Sequence, residues 1–250
     1  IASMVLVVAS DSVIIFLVAW ELMSILSYFL VTYESEKEEA LKAGFLYAVM
    51  TQIGTVFLLI AFFLFFKATG SFQFSDFRAA GSMMPQIIRD IIFLAALIGF
   101  GTKAGMVPLH TWLPEAHPAA PSHVSALMSG VMIKVAIYGL LRFVFDFFGG
   151  GAEVWWGIAL LSLGALSAIT GILYALMEQN IKRFLAYSSV ENIGIILIGI
   201  GSAVLFKSFG SYYFVGLALA AAFYHILSHM VFKSLLFMGA GAIHNATGLK

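Results

Sequence analysis

Seven ionisable residues interrupt otherwise apolar runs in this 250-residue chain: Glu21, Lys103, Lys134, Glu191, His225, His229 and Lys233. Removing a charge from water costs several kcal/mol, so such residues are rare and usually face protein, pair, or carry ions. Lys134 is the sharpest case, thirteen residues from each end of the run Pro121–Phe147. A stem of about 6 Å cannot lift its ammonium back into water from there. Desolvation disfavours the charged form, so this lysine can take up and release a proton; a permanently paired structural lysine is the alternative. His225, His229 and Lys233 recur every four residues, one stripe on a helix with about 6 Å between members. Three protonatable groups at that spacing suit a proton relay. His-x-x-x-His is also a metal spacing, but the glutamate of HExxH is missing and no cysteine is present, so no metal is expected.

Glu21 needs a cation, and Lys103 and Lys134 are the candidates. Opposite charges about 5 Å apart at an effective dielectric of ~20 are coupled by ~3 kcal/mol. Moving one charge against about 150 mV costs about 3.5 kcal/mol. Because the two are similar, several coupled sites serve better than one pair. Glu191, eight residues beyond Arg183, is either an additional site or a structural charge at the rim. Lys103 stands in Gly99-Phe-Gly-Thr-Lys-Ala-Gly-Met-Val-Pro108, a stretch that predicts an interrupted helix whose freed carbonyls line a protected cavity. The GxxxxGK[ST] spacing of a nucleotide loop is absent. His110, Glu115, His117 and His123 surround four prolines and are expected in a re-entrant turn near one surface. Asn245-Ala-Thr247 has the spacing of a glycosylation sequon.

The elements that position these residues follow from composition. The chain is 62% hydrophobic and 10% charged with a mean hydropathy of +1.01, against roughly 45–50% and about 25% in a soluble domain. Only a polytopic membrane protein accommodates that excess. Thirteen basic and thirteen acidic residues cancel, giving no sign of a nucleic-acid partner. Zero cysteines excludes disulfides and iron–sulfur clusters, and no cofactor is expected. Apolar runs at Ile1–Ala9, Ser12–Tyr33, Ala43–Phe66, Ile87–Leu113, Pro121–Phe147, Val154–Met177, Phe184–Phe206 and Ser211–Ile243 predict one partial and seven full helical spans. Short linkers join them at Glu34–Lys42, Lys67–Gln86, Phe148–Glu153, Glu178–Arg183 and Lys207–Gly210. Residues 1–250 are thus expected to be a single transmembrane domain, a fragment truncated at both ends. Cations divide almost evenly between the two sides, so orientation is not readable. Glu21 and Glu191 lie in the second and seventh spans, five apart and opposite in direction, the sidedness of an inverted five-helix repeat.

Trp20-Glu-Leu-Met23, Lys103-Ala-Gly-Met-Val-Pro-Leu-His-Thr-Trp-Leu-Pro-Glu-Ala-His117, Ser125-Ala-Leu-Met-Ser-Gly-Val-Met-Ile-Lys134, Ile181-Lys-Arg-Phe-Leu-Ala-Tyr-Ser188 and the His225/His229/Lys233 helix resemble the antiporter-like subunits of respiratory complex I. The same family includes subunits of multi-subunit cation/proton antiporters and of membrane-bound [NiFe] hydrogenases; Val190-Glu-Asn-Ile-Gly194 resembles the hydrogenase or formate hydrogenlyase branch more. The resemblance implies an all-α antiporter-like bundle with inverted five-helix repeats and discontinuous helices. It implies that Glu21 pairs with Lys103, that Lys134 is the central relay lysine, and that His225, His229 and Lys233 continue the axis. Where family members often carry a histidine this chain has Ser129, and their distal lysine or glutamate falls beyond Lys250. The implied function is proton translocation in a redox-driven complex in a prokaryotic cell (inner) membrane, with other membrane subunits as partners. A subunit of a sodium/proton antiporter, moving sodium against protons, is the alternative.

Overall fold

The computed structural model describes residues 1–149 and 153–248. Its helices, in chain order, are α1 (Ala2–Ala9), α2 (Val13–Val31), α3 (Glu38–Thr69), α4 (Phe74–Gly81), α5 (Gln86–Ala104), α6 (Trp112–Ala119), α7 (Ser122–Phe147), α8 (Val154–Met177), α9 (Ile181–Ser208) and α10 (Tyr212–Thr247). With no water to satisfy them, backbone N–H and C=O groups in a bilayer must bond within the chain, and a helix does this segment by segment. Among the described residues six helices, α2, α3, α7, α8, α9 and α10, are long and apolar enough to cross a membrane. The expected span Ile87–Leu113 is instead two helices, with residues 105–111 irregular between α5 and α6. α5 carries Arg89, Asp90 and Lys103.

The charged residues gather at two ends. At one, Arg78 lies 2.8 Å from Asp146 and 3.3 Å from Asp11, and Arg89 lies 2.9 Å from Glu153. At the other, a cavity of about 1340 Å³ opens between Glu34, Lys37, Glu115, Lys182, Arg183 and His244. α2 runs from the first end to the second and α9 runs back. Glu21 and Glu191 therefore stand on helices of opposite direction, as the inverted-repeat reading requires.

Several expectations are corrected. The linker Lys67–Gln86 contains α4, too short to register as a span but anchored by aromatic packing. Phe77 stacks on Phe65 at 4.6 Å, and Phe74 lies 4.9 Å from Phe147. α3 begins at Glu38 rather than Ala43 because Glu38 and Glu39 complement the positive end of its dipole. Of the four residues expected in a re-entrant turn, only His110 is in the irregular segment; Glu115 and His117 are on α6 and His123 is in the first turn of α7. His117 is buried and stacks on Phe237 at 4.6 Å. Asn245 and Thr247 belong to the last turn of α10. The middle of the linker Phe148–Glu153 and the domain limit at Lys250 lie outside the described residues.

Glycines set the closest helix approaches. On α8, Gly157, Gly164 and Gly171 recur every seven residues; Gly157 meets Gly201 and Gly164 meets Gly194 of α9, while Gly171 meets the backbone of Glu191. A Cβ on Gly164 would stand 2.8 Å from the Gly194 carbonyl oxygen, and one on Gly194 would stand 2.5 Å from that of Gly164. Lipid tails are as apolar as the helices, so close van der Waals packing of this kind must drive their association. Gly194→Val is expected to destabilise the chain by about 1–3 kcal/mol. Gly216→Ala, where an added Cβ meets nothing within 4 Å, should cost nothing. Thermal unfolding of the two variants in detergent checks this.

Candidate functional site

The break after α5 is built residue by residue. Gly105, at φ 78°, ends the helix in the left-handed conformation that glycine adopts without steric penalty. Met106 N–H then donates to the Gly101 carbonyl at 2.9 Å and Gly105 N–H to that of Thr102 at 3.2 Å, the paired bonds of a Schellman stop. Trp112 Nε1 also donates to the Thr102 carbonyl, at 2.7 Å. Val107 N–H donates to Ser167 Oγ of α8 at 3.0 Å, while the Ser167 hydroxyl hydrogen goes to the Leu163 carbonyl at 2.7 Å. Lys103 thus sits in the last turn of a helix that ends inside the bundle, where the dipole favours a cation.

Lys103 is 1% exposed. Its Nζ donates to Ser24 Oγ of α2 at 2.9 Å and to Tyr47 Oη of α3 at 2.8 Å, and lies 4.8 Å from the centre of the Tyr47 ring. Ser24 spends its own hydrogen on the Trp20 carbonyl at 3.0 Å, leaving a lone pair for the lysine. One helical turn away, the Glu21 carboxylate accepts from Gln52 Nε2 at 2.8 Å and Thr55 Oγ1 at 2.6 Å. Glu21 and Lys103 share this site but make no ion pair within 4 Å; hydroxyls and an amide stand as their immediate partners. Tyr47, Thr51 and Thr55, spaced by four, form the polar stripe of α3 that faces both.

Lys134, 8% exposed, follows a π-helical stretch of α7, Met128–Met132. Such stretches widen the helix and are frequent at functional positions. The Lys134 ammonium folds back to donate to the Ser129 carbonyl of that stretch. Between Lys103 and Lys134 stands Met132, fully buried, whose sulfur is 3.2 Å from Ser27 Oγ and 3.8 Å from Tyr47 Oη.

On α10 the stripe read from the sequence faces the bundle. His229 is 0% and Lys233 1% exposed, and Phe237 and Ala240 extend the same buried face. Lys233 Nζ donates to the Leu185 carbonyl of α9 at 2.9 Å and to Ser188 Oγ. Asn192 turns its amide nitrogen to the Ser188 carbonyl at 2.6 Å, so its oxygen faces His225 Nε2 at 2.9 Å and that nitrogen carries the hydrogen. The His225 and His229 rings lie parallel with centres 6.3 Å apart. Neither ring nitrogen of His229 has a partner among the described residues. Nor do three or more His, Cys, Asp or Glu converge there as a metal would need. Glu191 is half-buried on α9 and makes no ion pair among the described residues; its backbone packs against Gly171.

A family profile described as "NADH:quinone oxidoreductase/Mrp antiporter, TM" matches residues 10–250. The chain belongs to this family. Hydrogenase-4 component B of Escherichia coli (strain K12) is 48% identical over 244 residues, 97% of this chain and 36% of that protein. Formate hydrogenlyase subunit 3 of the same organism is 39% identical over 248 residues, 99% of this chain and 39% of that protein. In the structure of the Mrp complex from Dietzia sp. DQ12-45-1b, a chain superposes with a TM-score of 0.86 at 29% identity, over 99% of this chain and 26% of that one. This antiporter-family chain therefore spans well under half the length of these relatives.

The antiporter-family bundle thus gathers Glu21 with Lys103 on α2, α3 and α5, and sets Lys134, His225, His229 and Lys233 where α7, α9 and α10 meet. The residues that sequence reasoning missed are the uncharged ones: Ser24, Tyr47, Gln52, Thr55, Ser188 and Asn192. Hydroxyls and amides recurring at helical spacing on apolar spans were the available signal. Trp112→Phe removes one of two donors to the Thr102 carbonyl without removing the ring, and should lower stability by about 0.5–1.5 kcal/mol. Thermal unfolding of the purified chain, compared with wild type, checks it.

Proposed function

We propose that this chain is the proton-translocating, antiporter-like membrane subunit of a redox-driven complex of the respiratory NADH–quinone oxidoreductase or membrane-bound hydrogenase kind. Protons move along Glu21, Lys103, Lys134, His229 with His225, and Lys233. The observation that carries this reading is the type of partner each buried lysine has. Lys103, Lys134 and Lys233 are held by hydroxyl and carbonyl oxygens, with no carboxylate within 4 Å among the described residues. A lysine locked to a carboxylate stays charged, because losing its proton strands a buried anion. A lysine among neutral acceptors can give up its proton and leave nothing unpaired but dipoles.

The redox chemistry belongs to partner subunits, since a chain without cysteine supplies no cluster ligand of that type. Energy reaches this subunit as a displacement or change of charge that alters the Glu21–Lys103 site. The setting is a prokaryotic inner membrane, with other membrane subunits and lipid around the bundle. A second reading, a subunit of a sodium/proton antiporter, is favoured by one feature: the half-buried Glu191 carboxylate, free of any ion pair among the described residues, is a natural cation ligand.

In sealed vesicles holding the whole complex, Lys134→Ala should lower redox-driven proton uptake about 10-fold or more, the order lost with a positioned proton-transfer group, while assembly is retained. Unchanged uptake would make Lys134 structural and remove this reading. Sodium-dependent proton movement, lost in Glu191→Gln, would select the antiporter reading instead. Tyr47→Phe keeps the ring under Lys103 but removes an acceptor, and should slow uptake about 3–10-fold, measured in the same vesicles.

A further inference from the structure

Resting on that proposed function, one pair of side chains that it leaves without a role stands between its two most closely related lysines. Ser129 of α7 and Ser189 of α9 are both 0% exposed, and their hydroxyl oxygens are 2.8 Å apart. The direction of that bond is fixed by counting hydrogens. Ser189 has one hydroxyl hydrogen, which goes to the Leu185 carbonyl at 2.9 Å. Its oxygen is then the acceptor, and Ser129 is the donor. The Leu185 carbonyl also receives Lys233 Nζ at 2.9 Å. At the other end the Ser129 carbonyl receives Lys134. Reading across the bundle, the order is Lys134, Ser129, Ser189, Leu185, Lys233, with no charged group between the two ammonium sites and no residue exposed to solvent along it.

We propose that Ser129 and Ser189 are positioning residues for proton movement between Lys134 and Lys233: their hydrogen bond ties the π-helical stretch of α7 to the first turns of α9, so that the acceptors of both lysines are held as one unit. Each serine acts through the lysine acceptors beside it. The Ser129 hydroxyl fixes the peptide whose carbonyl holds Lys134. Ser189 competes with Lys233 for the Leu185 carbonyl, so a change in how strongly Lys233 draws on that oxygen alters the hold of Ser189 on Ser129. The bond is also sited where it can act: the wider π-helical turn Met128–Met132 departs from the regular α-helical ladder, and Ser189 anchors it from outside the helix.

The test is proton uptake by the assembled complex in sealed vesicles, with assembly measured for every variant. Ser129→Ala and Ser189→Ala should each slow uptake about 3–10-fold. The double variant should be no slower than either single one, because both remove the same bond. Ser189→Thr, which keeps a hydroxyl, should retain uptake, whereas Ser189→Val of the same shape should behave like alanine; ordinary packing would treat the two alike. Wild-type uptake in both alanine variants, or a double variant whose loss is the product of the two, overturns the inference. Lys134→Ala and Lys233→Ala run beside them separate the two failures. If the lysine variants pump normally, the proposed function falls and this inference with it. If they lose uptake while the serine variants keep it, only the inference falls.

Discussion

Every feature of this bundle answers to one requirement: a backbone that stops being helical inside a bilayer must find partners for the groups it releases. α5 meets it in three ways at once. Gly105 folds two N–H groups back onto the last turn, Trp112 supplies a second donor to Thr102, and Ser167 reaches across from α8 to take the amide of Val107. That third bond makes the break a tertiary object, so the α8–α9 pair has to be in place for α5 to end where it does. Lys103, in the last turn before that stop, is thereby held beside Ser24 and Tyr47.

The same requirement, applied to charge, explains why the neighbours of the buried lysines are hydroxyls and carbonyls. A carboxylate beside each would give a stronger pair but also two ions to desolvate, and breaking such a pair is costly. Ser24, Tyr47, Ser188 and the carbonyls of Ser129 and Leu185 solvate an ammonium at modest strength and lose little when it becomes an amine. Serine, threonine and tyrosine on apolar spans are therefore the solvent of this site, distributed among α2, α3, α7 and α9. Glu21 is treated likewise, with Gln52 and Thr55 as its nearest donors.

Much of this was legible from the sequence, and the part that was not has a physical cause. Charges in apolar runs stand out against composition, so Glu21, Lys103, Lys134 and the His225/His229/Lys233 stripe were visible, as was the break that Gly105 and Pro108 announce. The four-residue spacing on α10 was enough to put three side chains on its buried face. Hydroxyl and amide partners did not stand out, because serine and threonine are common in transmembrane helices for packing reasons. Which of them faces a lysine depends on how helices far apart in sequence cross. α4 was missed because it is held by packing on Phe62, Phe65 and Phe147 rather than by its own eight residues. The expected Glu21–Lys103 pair makes no ion pair within 4 Å, each having its own uncharged partners, a distinction that no spacing rule carries.

The glycine seam between α8 and α9 has a mechanical consequence. Two helices in backbone contact at several levels cannot slide or tilt against each other without collision, so they move as a single stiff strut, and through Ser167 that strut also clamps the end of α5. α10, by contrast, meets its neighbours in this bundle along one buried stripe, through His229, Lys233, Phe237 and Ala240. Its contact with α9 is made by side chains rather than backbone, and it sets how His225 meets Asn192 and how Lys233 meets the Leu185 carbonyl.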